Sequence, residues 1–277
     1  MKHLMTILCL VVALFQTSDA QQKPFELGLF GGLALYSGDL SPASFGIYLH
    51  GAEPAYGLLA RANLRSWLAL RLAYSAGSIA AEDAQEQRGL AFRSRLEEIT
   101  LVVEIQPWRF ALGDRALIPY LCAGIGYFQF NPEARDGNEW IALQPLGTEG
   151  QLLPDGQGPY SLREVNFPLG IGLKFILSDR LALGLELGGR KLLTDYLDDV
   201  GNALVDYRVL FEQNGPVSAR MSNPKATGPE DPALEPYRRG GAFNDWYYLA
   251  GLSIAYRLGG RSSQPAYSGK PTGCYRF

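Results

Sequence analysis

Leu181-Ala182-Leu183-Gly184-Leu185-Glu186-Leu187-Gly188-Gly189-Arg190 places leucine at each of its first four odd positions and Gly184, Glu186, Gly188 and Arg190 at even ones. Side chains of a β-strand alternate between two faces, so this segment has one apolar wall and one wall of glycine and charge. A helix would bring Glu186 and Arg190 together at i,i+4. It would also wrap the leucines around its whole circumference, and its three glycines would weaken it. The segment therefore reads as a strand.

The same two-sided pattern recurs along the chain. In Val165 to Phe175 the odd positions are apolar and Asn166, Gly170, Gly172 and Lys174 face the other way. In Asp245 to Leu258 the even positions are apolar, with aromatic residues near both ends, as in the girdles of a membrane barrel. Phe25 to Tyr36 sets Phe25, Leu27, Leu29, Leu33 and Leu35 against Glu26, Gly28 and Gly32. Tyr56 to Leu64 puts Arg61 and Asn63 on its inner parity, and Leu68 to Ser75 puts Arg71 there. Phe92 to Gln106 opposes Ile99, Leu101, Val103 and Ile105 to Glu98, Thr100 and Glu104. Ile118 to Phe130 is undecided, because Tyr120, Phe128 and Phe130 stand opposite Leu121, Ile125 and Tyr127. Pro168 cannot donate to a strand ladder and predicts a local bulge.

Connections alternate strictly between short and long. Those at Arg65 to Trp67, Ala111 to Ala116 and Ser178 to Arg180 are short; those at Ser37 to Glu53, Ala76 to Ala91, Asn131 to Arg163 and Leu193 to Phe243 are long. This rhythm predicts an all-β fold, an eight-stranded antiparallel up-and-down transmembrane β-barrel with short periplasmic turns and long extracellular loops. A soluble lipocalin-like barrel also alternates, but it would turn its apolar side inward and its charges outward. Here the charges at Glu98, Glu104, Arg71, Lys174, Glu186, Arg190 and Arg257 lie opposite the larger apolar residues, which suits a narrow lumen crossed by paired charges.

The ends of the chain read differently. Lys2 and His3, the apolar run Leu4 to Phe15 and Ser18-Asp19-Ala20 resemble a secretory signal peptide spanning residues 1–20. The run is too short for a helix that must cross about 30 Å of hydrocarbon. No later stretch reaches the roughly 18 apolar residues of a membrane helix, so entry into a bilayer requires a closed sheet. The barrel is expected over 21–258 and a periplasmic tail over 259–277. Glycine, at 32 of 277 residues, lies inside the alternating segments, where it relieves crowding on a curved sheet. The mature cysteines, Cys122 and Cys274, read as unpaired thiols rather than a disulfide framework.

Little in the sequence points to catalysis. His50 is the only mature histidine and no G-x-S-x-G occurs, which argues against a Ser-His-acid hydrolase. Asp195, Asp198 and Asp199 carry oxygen donors but lack the spacing of an EF-hand loop, so a hydrogen-bonded loop base is preferred over a calcium site. In that reading Asp195 and Tyr196 hold the outer rim by hydrogen bonds, with Asp39 reached through water or an ion. A net charge of -3 with scattered basic residues excludes a nucleic-acid stripe. No cofactor, metal or small-molecule substrate is expected. Asn202 to Ala242, rich in Pro and Gly, is expected to be an exposed loop.

Five segments carry a resemblance: Phe25-Glu26-Leu27-Gly28; Gly32 with Tyr36-Ser37-Gly38-Asp39-Leu40; Thr194-Asp195-Tyr196-Leu197-Asp198-Asp199-Val200; Asp245-Trp246-Tyr247-Tyr248; and the closing Cys274 to Phe277. With these the chain resembles the Bacteroidetes outer-membrane barrel family that includes the PorG component of the type IX secretion system. The terminal motif departs from that pattern, with Tyr275 where proline is expected, and the insert 202–242 is not accounted for by it. The resemblance implies a non-catalytic role at the outer membrane in secretion. Its expected partners are outer-membrane lipids and periplasmic ring proteins like PorK and PorN.

Overall fold

The computed structural model describes residues 25–41, 48–83, 89–112, 115–231, 234–241 and 244–258. The expected signal segment 1–20 and the expected tail 259–277, with Cys274 and Phe277, lie outside the described residues. Eight long strands form the barrel: β1 (Phe25–Ser37), β2 (Tyr48–Asn63), β3 (Leu68–Glu82), β4 (Ala91–Ile105), β5 (Arg115–Asp136), β6 (Arg163–Ile176), β7 (Leu181–Leu192) and β8 (Trp246–Leu258). Each pairs antiparallel with its sequence neighbours, and β1 closes on β8 from Phe25↔Leu258 to Ser37↔Trp246. Closure leaves no open edge, the condition for a sheet in hydrocarbon.

Parity decides what each face meets. The outer wall exposes Leu29, Leu58, Ile99, Ile125, Ile171, Leu185 and Leu252, each more than half accessible. Trp67, Trp108, Phe110 and Tyr256 ring the end with short turns, and Tyr56, Tyr74, Tyr127 and Phe167 stand nearer the other. Exposed leucine and isoleucine in a continuous belt would be costly in water and are the normal exterior of a barrel in lipid. The protein is accordingly an outer-membrane barrel, its long loops outside the cell.

The undecided strand β5 resolves with Tyr120, Phe128 and Phe130 buried inward and Leu121, Ile125 and Tyr127 outward. Gly172 makes this possible, since a Cβ there would lie 2.2 Å from the Tyr120 ring. Pro168 does not produce the expected bulge. Pairing of β5 with β6 stops after Ala123↔Leu169 and resumes at Gly126↔Asn166 in unchanged register. The missing N–H removes ladder bonds without inserting a residue. The irregularity lies instead in β1 against β2, between Ala34 and Tyr36.

Three strands run beyond their predicted limits. β2 begins at Tyr48, β3 continues to Glu82 and β5 reaches Asp136, where a two-residue turn with Gly137 at φ 62° pairs it with the short strand Glu139–Ala142. The segment expected as an exposed loop is folded: α1 (Tyr207–Gln213), α2 (Pro216–Ser222) and the short paired strands Leu204–Val205 and Tyr237–Arg238. Asp206 caps α1 by accepting from the Arg208 and Val209 N–H groups, which sequence spacing alone did not reveal.

Candidate functional site

The lumen carries two ionic networks. Toward the periplasm, Arg61 bridges Glu26 at 2.7 Å and Glu104 at 2.8 Å. Arg71 then joins Glu104 at 3.2 Å to Glu186. Tyr120 donates to Glu186 at 2.6 Å, Lys174 lies 3.7 Å from Glu26, and Arg257 lies 3.6 Å from it. Toward the outside, Arg190 grips Glu98 at 2.8 Å, and Tyr247 donates to the same carboxylate at 2.6 Å. The charges expected to face inward do so, and every carboxylate among them has a cationic partner. The cavity between Arg71, Cys122, Glu186 and Arg190 measures about 30 Å³, room for little more than a water molecule. Cys122 is buried against this network and is a free thiol.

Above the charges the interior becomes apolar. Phe128 and Phe130 stack at 5.4 Å, and Tyr36 meets Phe92 edge-on at 5.0 Å. Leu40, Leu197, Val200 and Met221 descend from the loops into the same buried cluster. The extracellular loops therefore form a lid whose core is continuous with the upper lumen.

Most of the candidate residues converge on this lid. Tyr36 donates to Asp198 Oδ2 at 2.5 Å and accepts from the Leu40 N–H at 3.3 Å. Asp198 Oδ1 accepts from Val200, Asp245 Oδ2 from Leu197 at 3.0 Å, and Asp39 Oδ1 from Gly241 at 2.8 Å. Two loops, the one after β1 and the one between β7 and β8, are thus tied at one point. Gly38 lines it: a Cβ there would stand 1.9 Å from Asp245 Oδ1 and 2.3 Å from the Tyr36 hydroxyl. Trp246 faces the outer wall at the rim, stacked on Tyr248 at 6.4 Å.

Asp195 and Tyr196 take a different place from Asp198 and Asp199. Asp195 is half exposed, and its Oδ1 makes no hydrogen bond. Tyr196 stacks on Tyr160 at 4.6 Å. The turn directs Asp198 and Asp199 inward, so these two anchor the loop. Asp199 sits at φ 66°, a left-handed conformation that Asp tolerates better than most residues. It accepts from Thr148 at 2.5 Å, from Tyr160 at 2.8 Å and from Arg239 at 3.2 Å. Arg239 also reaches Thr148 and the Asp199 carbonyl, with Glu149 at 3.9 Å. Thr148, Glu149, Tyr160 and Arg239 were not legible as a site, since they come from two loops joined only by the fold, with Thr148 and Arg239 91 residues apart.

Electrostatics in the lid favour bound protons. Burial, then the neighbouring Asp39 and Glu149, push Asp195 up to about 7. Burial holds Asp198 and Asp245 well above the ordinary aspartate range, with mutual repulsion of the acids adding for Asp245. Burial also raises Asp199 against the opposing pull of Arg239. Among the described residues no group of three or more His, Cys, Asp or Glu is arranged to hold a metal ion. His50 lies exposed at the outer end of β2.

The chain belongs to the family described as "Domain of unknown function (DUF6089)", which matches residues 2–216. No curated protein matches it. Among solved structures it is similar to the N-terminal β-barrel domain of Pseudomonas aeruginosa OprF, at 13% identity over 86% of this chain and 98% of that one, TM-score 0.38. It is likewise similar to Neisserial surface protein A (8% identity, 84% and 96% covered, TM-score 0.43) and to Ail, the attachment invasion locus protein of Yersinia pestis (10%, 86% and 100%, TM-score 0.39). The closed sheet and its apolar outer belt make the protein an outer-membrane β-barrel.

Proposed function

We propose that this protein is a non-conducting structural barrel, adhesin-like in plan, whose sealed lumen anchors a rigid lid outside the cell. One observation carries the reading: among the described residues the lumen is filled by paired charges below and by an aromatic core shared with the lid above, and its cavity between the charges is about 30 Å³. A narrow eight-stranded barrel is normally filled in this way. The test is a planar bilayer recording of the refolded protein alongside protease accessibility of loop 144–162 on intact cells. Absence of steady conductance with a surface-accessible loop is the expected outcome, and reproducible single-channel steps would reject the reading.

A finer reading is participation in type IX protein secretion, with the periplasmic face docking a ring of PorK- and PorN-like proteins. Its support is the resemblance at Tyr36 to Leu40, Thr194 to Val200 and Asp245 to Tyr248, segments that meet in space at the lid. In this reading the three short turns and the 259–277 tail supply the docking surface, with Tyr267, Tyr275 and Phe277 as anchors. Deleting Ser262 to Phe277 in the native organism, with the barrel shown folded in its membrane, should abolish co-purification of ring proteins and export of sorting-domain cargo. Unchanged association and export would remove the tail from the mechanism.

A further inference from the structure

Between the loop after β5 and the insert after β7 lies an open cleft of about 660 Å³, inside the range of roughly 300–1,000 Å³ typical of small-molecule sites. Its rim is built, not loose. The Gly150 N–H donates to the Gly147 carbonyl at 2.9 Å, Gly156 to Leu153 at 2.8 Å and Gly158 to Gln151 at 2.9 Å. Gly150 and Gly158, both at φ 80°, permit these successive turns. The other wall is the Asn202–Asp206 segment leading into α1.

We propose that this cleft binds a neutral oligosaccharide, with Tyr196, backed by Tyr160, as its aromatic wall and Gln151, Gln157, Asn202 and Asp155 as its hydroxyl-binding groups. The proposal deepens the adhesin-like reading and rests on it for its biological setting. The chemistry of the lining selects the ligand class by elimination. The lining itself contains no Lys, Arg or His, and Arg238 beside it donates to the Asn202 carbonyl and Oδ1, so the cleft proper holds no counter-charge for phosphate, sulfate or carboxylate. A wholly apolar ligand would cover amide groups without replacing their hydrogen bonds. A cation would find little free charge: the Asp206 carboxylate is already occupied by the first N–H groups of α1. Burial, opposed by Arg239, pushes Glu149 toward its neutral form, which leaves exposed Asp155. What remains is a ligand with apolar C–H faces and many hydroxyls, each able to donate and accept. One buried polar atom of the lining has no partner in the protein: Gln151 Nε2, a donor. Gln151 is oriented by accepting from the Glu149 N–H at 2.9 Å, so its amide is held in place before any ligand arrives.

The full chain, refolded in detergent micelles, would be titrated with maltotriose, cellotriose and tri-N-acetylchitotriose, followed by saturation-transfer NMR. A sulfated trisaccharide and a deacetylated chitosan trimer serve as anionic and cationic comparisons. The expected result is saturable binding of at least one neutral trisaccharide, weakened about tenfold by combined Gln157→Ala and Asn202→Ala, the effect of losing one or two neutral hydrogen bonds. Val209→Trp, which fills the cleft from α1, should abolish binding with the thermal unfolding of the barrel unchanged. The proposal is overturned if no neutral trisaccharide binds, if a charged one binds more tightly, or if the variants bind as the parent does. Loop accessibility on intact cells separates the two ideas: sugar binding by the purified protein with an inaccessible loop retains the cleft and rejects surface display.

Discussion

Replacing Glu98 by glutamine isolates what holds the upper lumen together. The carboxylate takes hydrogen bonds from Arg190 at 2.8 Å, from Tyr247 at 2.6 Å and from Asn166 at 3.2 Å, and it is 3% exposed. Glutamine preserves the volume and one acceptor oxygen but removes the negative charge, so the Arg190 guanidinium stays buried without its ion-pair partner, among neutral acceptors such as its own amide and the Gly188 carbonyl at 2.8 Å. Removing one member of a buried ion pair typically costs about 3–5 kcal/mol, because the surviving charge is neither solvated nor paired. Removing both charges, with Glu98→Leu and Arg190→Met, deletes that penalty and leaves mainly Tyr247 and Asn166 short of an acceptor, at about 1–3 kcal/mol. The double variant should therefore be more stable than the single one by about 2 kcal/mol. Urea unfolding in phospholipid vesicles, read by tryptophan fluorescence, supplies the free energies, provided folding is reversible there. A double variant as unstable as Glu98→Gln would refute the argument, since the cost would then lie in lost packing and not in an uncompensated charge.

Other expectations concern the lid. Because Asp195 is raised from 3.8 to about 7, the folded lid retains a proton that the unfolded loop has lost between those values. Lid stability should therefore fall as pH rises from about 4 to about 7 and level off above; hydrogen exchange of residues 193–201 should show this slope, reduced in Asp195→Asn, and a slope of opposite sign would reject the assignment. Gly38→Ala should loosen the knot at Tyr36 and Asp245 by about 1–3 kcal/mol, since both side chains are buried and must shift; unchanged exchange at Leu40 would count against it. Arg239→Leu strands Asp199 and Glu149 and should open the insert to limited proteolysis, at a cost of about 3–5 kcal/mol to the lid.

The barrel was legible because lipid enforces parity. A residue such as Leu185 or Ile171 on the outer wall has no tertiary neighbour to compensate an error, so alternation is strict and visible. The inner parity of β5 was harder to read, because Phe128 and Phe130 belong to an interior that is apolar near the mouth and charged below, and aromatic residues satisfy either wall. The acids of the lid were recognisable as a group but not by role. Which of Asp195, Asp198 and Asp199 turns inward depends on a left-handed backbone at Asp199 and on partners as distant as Thr148 and Arg239. The cleft has no periodic signature at all, since its walls are turns whose geometry depends on glycines and local hydrogen bonds.

The placement of these residues makes the secretion reading separable from the lid. The segments that carry the resemblance and are described lie mainly at the extracellular mouth, tied through Tyr36, Asp198 and Asp245. A docking surface for a periplasmic ring lies at the other end, and the 13 residues of β1 alone put roughly 40 Å between them along the strand. Between the two ends stand two ionic networks in a closed, hydrogen-bonded wall, with no hinge-like gap in the β1–β8 register. Tyr36→Phe removes the hydroxyl that joins Asp198 to Leu40 and should weaken the lid by about 1–3 kcal/mol. If docking is a property of the periplasmic face alone, this variant should lose hydrogen-exchange protection in the lid yet retain ring proteins on purification. Truncation after Arg261 should do the reverse. Loss of ring association in Tyr36→Phe, with barrel content in the membrane unchanged, would show that the lid and the dock are coupled through the wall and would refute the rigid-anchor argument.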